Sequence, residues 1–166
     1  MAFRPTPDPV GPGQESVWAY PRPPRLEASS EHVEIWLGDV LIAITDASFR
    51  VLETSHPPTY YLPWQAFATG SLVPAAGVSM CEWKGAASYL DVLGGGVRAA
   101  RSGWTYPNPT PPFAALTDHV AVYPAAMQRC TVDGEVVQAQ PGTFYGGWVT
   151  SKVIGPFKGV PGSTGW

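Results

Sequence analysis

Residues His32 to Thr45 read HVEIWLGDVLIAIT. Val33, Ile35 and Leu37 alternate with Glu34 and Trp36, the period of two that a half-buried strand requires. Gly38-Asp39 then supplies a two-residue turn before a second apolar, β-branched run, so the stretch reads as a hairpin, although Gly-Asp is a weaker turn pair than Asn-Gly. The pattern repeats outward. ASYLDVLGGGVRAARSGW predicts strands over Ala87–Leu93 and Val97–Arg101, turned by Gly94, Gly95 and Gly96, and RCTVDGEVVQA predicts a third hairpin turned at Asp133-Gly134. FRVLE reads as a short strand ending at Glu53. TYYL resumes extended structure after Pro57-Pro58, and His119–Tyr123 reads as a strand after a short helix or turn. Trp64–Ala76 is ambiguous, with a helical turn as one reading. Gly or Pro interrupts nearly every window long enough for a helix, so the fold is expected to be mainly β, built of antiparallel hairpins in one small domain.

Composition bounds the rest. The 166 residues suit a single core. With 18 glycines, 19 prolines and 45% hydrophobic residues, seven of them tryptophan, most of the chain is expected to fold. A net charge of −3 with 14% charged residues leaves no basic stripe, which argues against a nucleic-acid partner. No apolar run approaches the ~20 residues of a membrane span, and residues 1–17 lack an apolar leader core, so a soluble cytoplasmic protein without a membrane partner is expected. Cys81 and Cys130 belong to no CxxC pair. No structural zinc is therefore expected, and the plainer reading is two buried thiols, with a disulfide left open.

Residues 1–14, MAFRPTPDPVGPGQ, read as an extended, mobile arm. The domain is expected over 15–166, with its core at about 31–138 and an ordered, aromatic-rich C-terminal wrap at 139–166. WAYPRPP at Trp18–Pro24 and WTYPNPTPP at Trp104–Pro112 share the pattern W-x-Y-P-x-P. Each sets a Trp and a Tyr before a proline-stiffened strap, which orders large rings at small entropic cost. Two such straps clamping one core and a coincidence in a Pro-rich chain are both open.

Two stretches carry candidate chemistry. In RVLETSHPPTYY, Val51 and Glu53 share a strand face opposite Arg50 and Leu52, and His56 enters a proline turn. A carboxylate bonded to an imidazole fixes its tautomer and raises its basicity, as a general base requires. The alternative is that His56 caps the turn while Glu53 pairs with Arg50. In MCEWKG, an extended backbone sets Cys81 and Trp83 on one face and Glu82 and Lys84 on the other. A reactive thiol needs a nearby cation such as Lys84 or His56, and the plainer reading is a buried Cys81-Trp83 pair. His32 and His119 read as packing or surface residues. No D-x-D, GxxxxGK[ST] or G-x-S-x-G motif occurs, which argues against nucleotidyl transfer, phosphate-loop chemistry and a serine hydrolase.

ESVWAYPRPPRLE, RVLETSHPPTYYLP, CEWKGAASYLDV, WTYPNPTPP, HVAVYP and GGWVTSKVIGPFKGVPGSTGW together resemble the bacterial and fungal family called domain of unknown function 427, which also carries a nucleotidyltransferase-type label. The resemblance runs from about residue 15 to the end. It implies a β-tent-like fold, two sheets meeting at an angle, as in methionine sulfoxide reductase B and the drug-binding domain of cereblon. Relatives of that fold often hold zinc through two CxxC knuckles, which this chain lacks. The family motifs map onto Arg50, Glu53, His56, Tyr60, Tyr61, Cys81, Trp83, Lys84, Gly85, Trp104 and Tyr106. The resulting expectation is a pocket for an unknown small molecule, with Glu53, His56 and Lys84 as catalytic candidates. Arg50, Tyr60, Tyr61, Cys81, Trp83, Trp104 and Tyr106 are its ligand-binding candidates, and no metal or specific cofactor is assigned. A non-catalytic module for a peptide or protein, and thiol redox at Cys81 with Cys130 as resolving partner, are the alternatives.

Overall fold

The computed structural model describes residues 4–166. Strands β1 Glu15–Ser16, β2 Arg25–Ser29, β3 Val33–Leu37, β4 Val40–Thr45 and β5 Ser48–Leu52 lead to β6 Thr59–Pro63. Next come β7 Leu72–Cys81, β8 Gly85–Gly94, β9 Val97–Thr105, β10 His119–Val122 and β11 Arg129–Val132. Four two-residue strands follow: β12 Glu135–Val136, β13 Gln138–Ala139, β14 Trp148–Val149 and β15 Val153–Ile154. The helical segments are short 3-10 turns, the longest Pro111–Leu116.

The three expected hairpins form, and for one local reason. Their two-residue turns sit at positive φ, 59° and 61° at Gly38 and Asp39, 54° and 79° at Gly95 and Gly96, and 48° and 81° at Asp133 and Gly134. Two left-handed residues in succession match the right-handed twist of the flanking strands, and Gly and Asp tolerate that conformation. The first two turns also touch backbone to backbone. A Cβ on Gly95 would collide with the Gly38 carbonyl, so glycine is required there by space as well as by φ.

Pairing builds a seven-stranded sheet, β2-β5-β6-β10-β9-β8-β7, and a four-stranded sheet, β12-β11-β3-β4, neither closed into a barrel. All neighbours within both sheets are antiparallel. The main core lies between the two sheets. Ile35, Ile42 and Cys130 on the small sheet meet Leu62, Val92, Val120 and Val122 on the large one. Two further two-stranded pairings, β1-β15 (parallel) and β13-β14, complete a small, mainly β domain that agrees with the expected fold class. On the outer face of the large sheet a second cluster gathers Val51, Tyr61, Ala87, Trp104, Tyr106, Phe113, Leu116 and Ala121. Alternation along β6 divides its two tyrosines, with Tyr60 in the inter-sheet core and Tyr61 in the outer cluster.

β7 departs from the reading of Trp64–Ala76 as ambiguous with a helical turn. Only Trp64–Ala66 forms a 3-10 turn, and ten extended residues begin at Leu72. The strand sits at the sheet edge and has no core face over most of its length, with Val78 and Met80 at 69% and 76% exposure. It therefore carries no alternating signal, and Pro74 is tolerated at an edge. The extended reading of MCEWKG is corrected as well: Cys81 pairs with Gly85, and Glu82–Lys84 form the loop of a hairpin.

The two W-x-Y-P-x-P segments occupy different clusters. Trp18 and Tyr20 join Val17, Leu52 and Val153, with Phe157 and Trp166 packed on them, whereas Trp104 and Tyr106 belong to the outer cluster. Within the N-terminal segment the Asp8 amide donates to the Gly155 carbonyl at 2.9 Å, and the Arg4 guanidinium lies 5.2 Å from the Trp18 ring. In the C-terminal segment Trp148 is 1% exposed against the inter-sheet core.

Candidate functional site

The outer cluster ends in a cavity of about 300 Å³ where the end of β5, the start of β6 and the β7–β8 loop converge. Register decides which side chains reach it. Phe49 lies opposite Tyr61 and Val51 opposite Thr59, so odd-numbered positions of β5 and β6 face outward, and Glu53 continues that row. Beyond Glu53 the chain reverses, with the His56 amide donating to the Glu53 carbonyl at 3.0 Å and Ser55 at φ 74°. His56 is thereby turned back over the strand end, beside Glu53.

The β7–β8 loop brings Cys81, Trp83 and Lys84 to the opposite wall. The second proline strap fixes that loop. Thr110 Oγ1 donates to the Trp83 carbonyl at 2.6 Å, and the Thr110 amide donates to the Lys84 carbonyl at 3.0 Å. The Lys84 ammonium lies 5.8 Å and 5.9 Å from the rings of Tyr106 and Phe113, and among the described residues no carboxylate pairs with it. Trp104 forms the floor, its Nε1 donating to the Tyr61 hydroxyl at 3.2 Å.

The C-terminal segment closes the site with Gln140, Tyr145, Gly146 and Lys158. Close approach requires both glycines of Gly146-Gly147. A Cβ on Gly146 would strike the Trp104 ring, and one on Gly147 would lie 2.5 Å from Gln140 Oε1 and 2.6 Å from Pro57 Cγ. The Tyr145 ring packs edge-on against His56 at 4.9 Å, and the Lys158 ammonium lies 5.8 Å from the Tyr145 ring.

Electrostatics divide the titratable groups. The His56 side chain is 15% exposed. Burial pushes its pKa down to about 4, aided by the cations Lys158, Arg22 and Lys84 and opposed by Glu53, so the imidazole is neutral at pH 7. Burial also works against the Lys84 ammonium, but Tyr61, Cys81 and, more weakly, Glu53 act the other way and leave its pKa above the ordinary lysine value. Burial raises the phenols of Tyr61 and Tyr106. At neutral pH the cavity thus presents the Lys84 ammonium, a neutral imidazole and the Tyr61 phenol, beside the side chains of Glu53, Glu82 and Lys158. Glu53 is engaged by Arg22, whose guanidinium approaches its Oε2 at 3.1 Å, while His56 Nε2 stays 3.6 Å from the same oxygen.

Residues 25–133 match the family model described as Domain of unknown function (DUF427). The chain belongs to the DUF427 family. No curated protein matches it. The model's short name, NTP_transf_9, is of nucleotidyltransferase type; two carboxylates, Glu53 and Glu82, line the cavity, and Glu53 is bonded by Arg22. Among the described residues no three His, Cys, Asp or Glu side chains converge as a metal site. Likewise, no helix among them is long and apolar enough to cross a membrane.

The structure brings together Glu53, His56, Tyr61, Cys81, Trp83, Lys84 and Trp104 of the residues singled out from sequence. Tyr106 stands one layer back, its ring 6.2 Å from that of Tyr61. Arg50 and Tyr60 point to the opposite face. The Arg50 guanidinium bonds Glu15 and Glu27, each at 2.5 Å, and the Tyr60 hydroxyl donates to Glu31 at 2.8 Å. The ion pair of Glu53 is therefore with Arg22, not with Arg50. Cys130 is buried in the inter-sheet core, where burial pushes its thiol up to about 12, and the large sheet separates it from Cys81. Both cysteines are free. Sequence reasoning passed over Gln140, Tyr145 and Lys158. Their segment carries an aromatic signal for order, but nothing in its local pattern connects it with His56.

Proposed function

We propose that this DUF427 protein binds a small molecule in the cavity, with Lys84 meeting a negative charge on the ligand and Trp83 and Trp104 facing its planar body. The observation that carries this reading is the Lys84 ammonium, held among aromatic rings with no carboxylate partner among the described residues. A half-buried cation that feels Glu53 only across the cavity, that carboxylate being already bonded by Arg22, favours an anion that completes the pair. Glu53 and His56 sit on the same cavity and are the groups through which a bound ligand would be acted upon.

Native mass spectrometry of the protein purified from its own host, before and after denaturation, tests the reading. A stoichiometric small molecule is expected in the parent protein and lost in folded Lys84→Met and Trp104→Ala variants. Retention in both variants, or a bare chain in every preparation, overturns it.

One observation favours a second reading, an interaction module: Val78 and Met80 are exposed on the unpaired edge of β7. A partner that co-purifies with the parent chain and is released by Val78→Lys with Met80→Lys would support it. Thiol redox through a Cys81–Cys130 exchange ranks last, because the two sulfurs lie in different clusters.

A further inference from the structure

Gln140 is 3% exposed, and its side chain makes three contacts inside the fold. Its Oε1 accepts from the Gly147 amide at 3.1 Å, and its Nε2 donates to the Lys158 carbonyl at 2.9 Å. Both partners are backbone groups with fixed roles, since an amide can only donate and a carbonyl can only accept. The carboxamide consequently has one orientation, because the flipped one would set oxygen against oxygen and nitrogen against N–H. The second Nε2 hydrogen then faces His56 Nδ1 at 3.0 Å. A ring nitrogen that receives an N–H must present a lone pair. With the imidazole neutral, its proton resides on Nε2.

His56 Nε2 has no hydrogen-bond partner among the described residues. Its nearest carboxylate, Glu53, lies at 3.6 Å, beyond hydrogen-bond length, and is already bonded by Arg22. The sequence pattern suggested a carboxylate-assisted general base at His56. The geometry is the reverse of that: the lone pair is occupied and the free atom is a donor.

We infer that Gln140 is a positioning residue that locks His56 as a neutral Nε2–H donor, and that this donor and the Lys84 ammonium together recognise an anionic oxygen, such as a carboxylate, on the ligand. The inference rests on the reading of the cavity as a ligand site and names the chemistry that the site selects. A buried neutral imidazole can donate to an oxygen that carries or develops negative charge without a desolvated cation having to form. Lys84 supplies the charge and His56 the direction, while the indole wall suits a planar body next to the carboxylate.

The test uses the whole 166-residue chain with its histidine rings labelled with 15N. At pH 7 the parent is expected to show His56 with a protonated Nε2 and an unprotonated Nδ1. Gln140→Glu places an acceptor opposite Nδ1 and is expected to move the proton there or to give an imidazolium. Gln140→Leu removes the bias and is expected to give mixed tautomers. A parent His56 protonated on Nδ1, or a tautomer indifferent to folded Gln140 variants, overturns the lock. Benzoate then serves as the probe. It is expected to shift the His56 Nε2 resonance, with an affinity weakened about tenfold or more in Lys84→Met and in Gln140→Glu. An unmoved Nε2 signal at saturating or near-solubility benzoate overturns the anionic-oxygen assignment. The tautomer needs no ligand to be read, so its failure is distinguishable from the failure of the binding reading itself.

Discussion

Arg50→Met separates a structural role from a ligand-binding one. Arg50 was singled out from sequence beside Glu53 and His56, but its guanidinium is 4% exposed on the far side of the sheet and bonds Glu15 and Glu27. Removing one member of a buried ion pair costs roughly 3–5 kcal/mol, since the other charge is left without compensation. Glu15 and Glu27 retain 32% and 38% of their side-chain exposure, so water recovers part of that cost. A loss of about 2–4 kcal/mol follows. For a domain of this size that corresponds to a fall in Tm of roughly 6–12 °C at the middle of the range.

The same pair sets an acid dependence. Burial raises the Glu15 carboxyl, but hydrogen bonds from Arg50 and Tyr20 outweigh it and leave the pKa below the ordinary value. A depressed carboxylate contributes stability above its unfolded pKa that is lost as pH falls toward the folded one. Arg50→Met should therefore flatten the decline in stability below about pH 4.5 as well as lower the plateau. Urea unfolding followed by tryptophan fluorescence from pH 3 to 7 reads both quantities, and benzoate titration reads the cavity. The expected outcome is a destabilised variant with an unchanged benzoate response. A variant as stable as the parent that loses the response would refute the assignment of Arg50 to the opposite face.

Gly147→Ala is expected to cost about 1–3 kcal/mol and to disorder the His56 tautomer, because its Cβ meets Gln140 and Pro57; unchanged stability and an unchanged imidazole signal would contradict that contact. In native protein, iodoacetamide should modify Cys81 well before Cys130, which is buried and whose thiol is pushed up to about 12, with both reacting after unfolding. Equal native rates would place Cys130 outside the core. His56 holds a folded pKa of about 4 against an unfolded value near 6.5, so the unfolded chain binds the extra proton between them. Stability should accordingly fall as pH drops through that window, by up to about 1.4 kcal/mol per unit, and a His56→Asn variant should lack that component. A parent and variant with parallel pH profiles would show the imidazole to be solvated.

The hairpins were legible because their information is local. Gly38-Asp39, Gly95-Gly96 and Asp133-Gly134 require left-handed backbone that few residue pairs accept, and the strands beside them alternate because one face is buried. Half of the cavity was legible for a similar reason, since the row Val51, Glu53 and the turn at His56 follow from strand parity. Parity could not say which face would carry the cavity. Arg50 and Tyr60 are as polar and as close in sequence as Glu53 and Tyr61, and only what meets that face, the small sheet at Tyr60 and Glu15 and Glu27 at Arg50, assigns them to structure. β7 was invisible because an edge strand wetted on both sides has no periodic pattern to display. Gln140 was invisible because its role lies in a contact 84 positions away, fixed by the backbone groups of Gly147 and Lys158. What the sequence determined by itself is thus the set of turns and strands, whose constraints span a few residues. The protonated nitrogen of His56 and the setting of the Lys84 charge were decided by tertiary structure alone, because hydrogen-bond direction and desolvation depend on which distant groups the fold brings into contact.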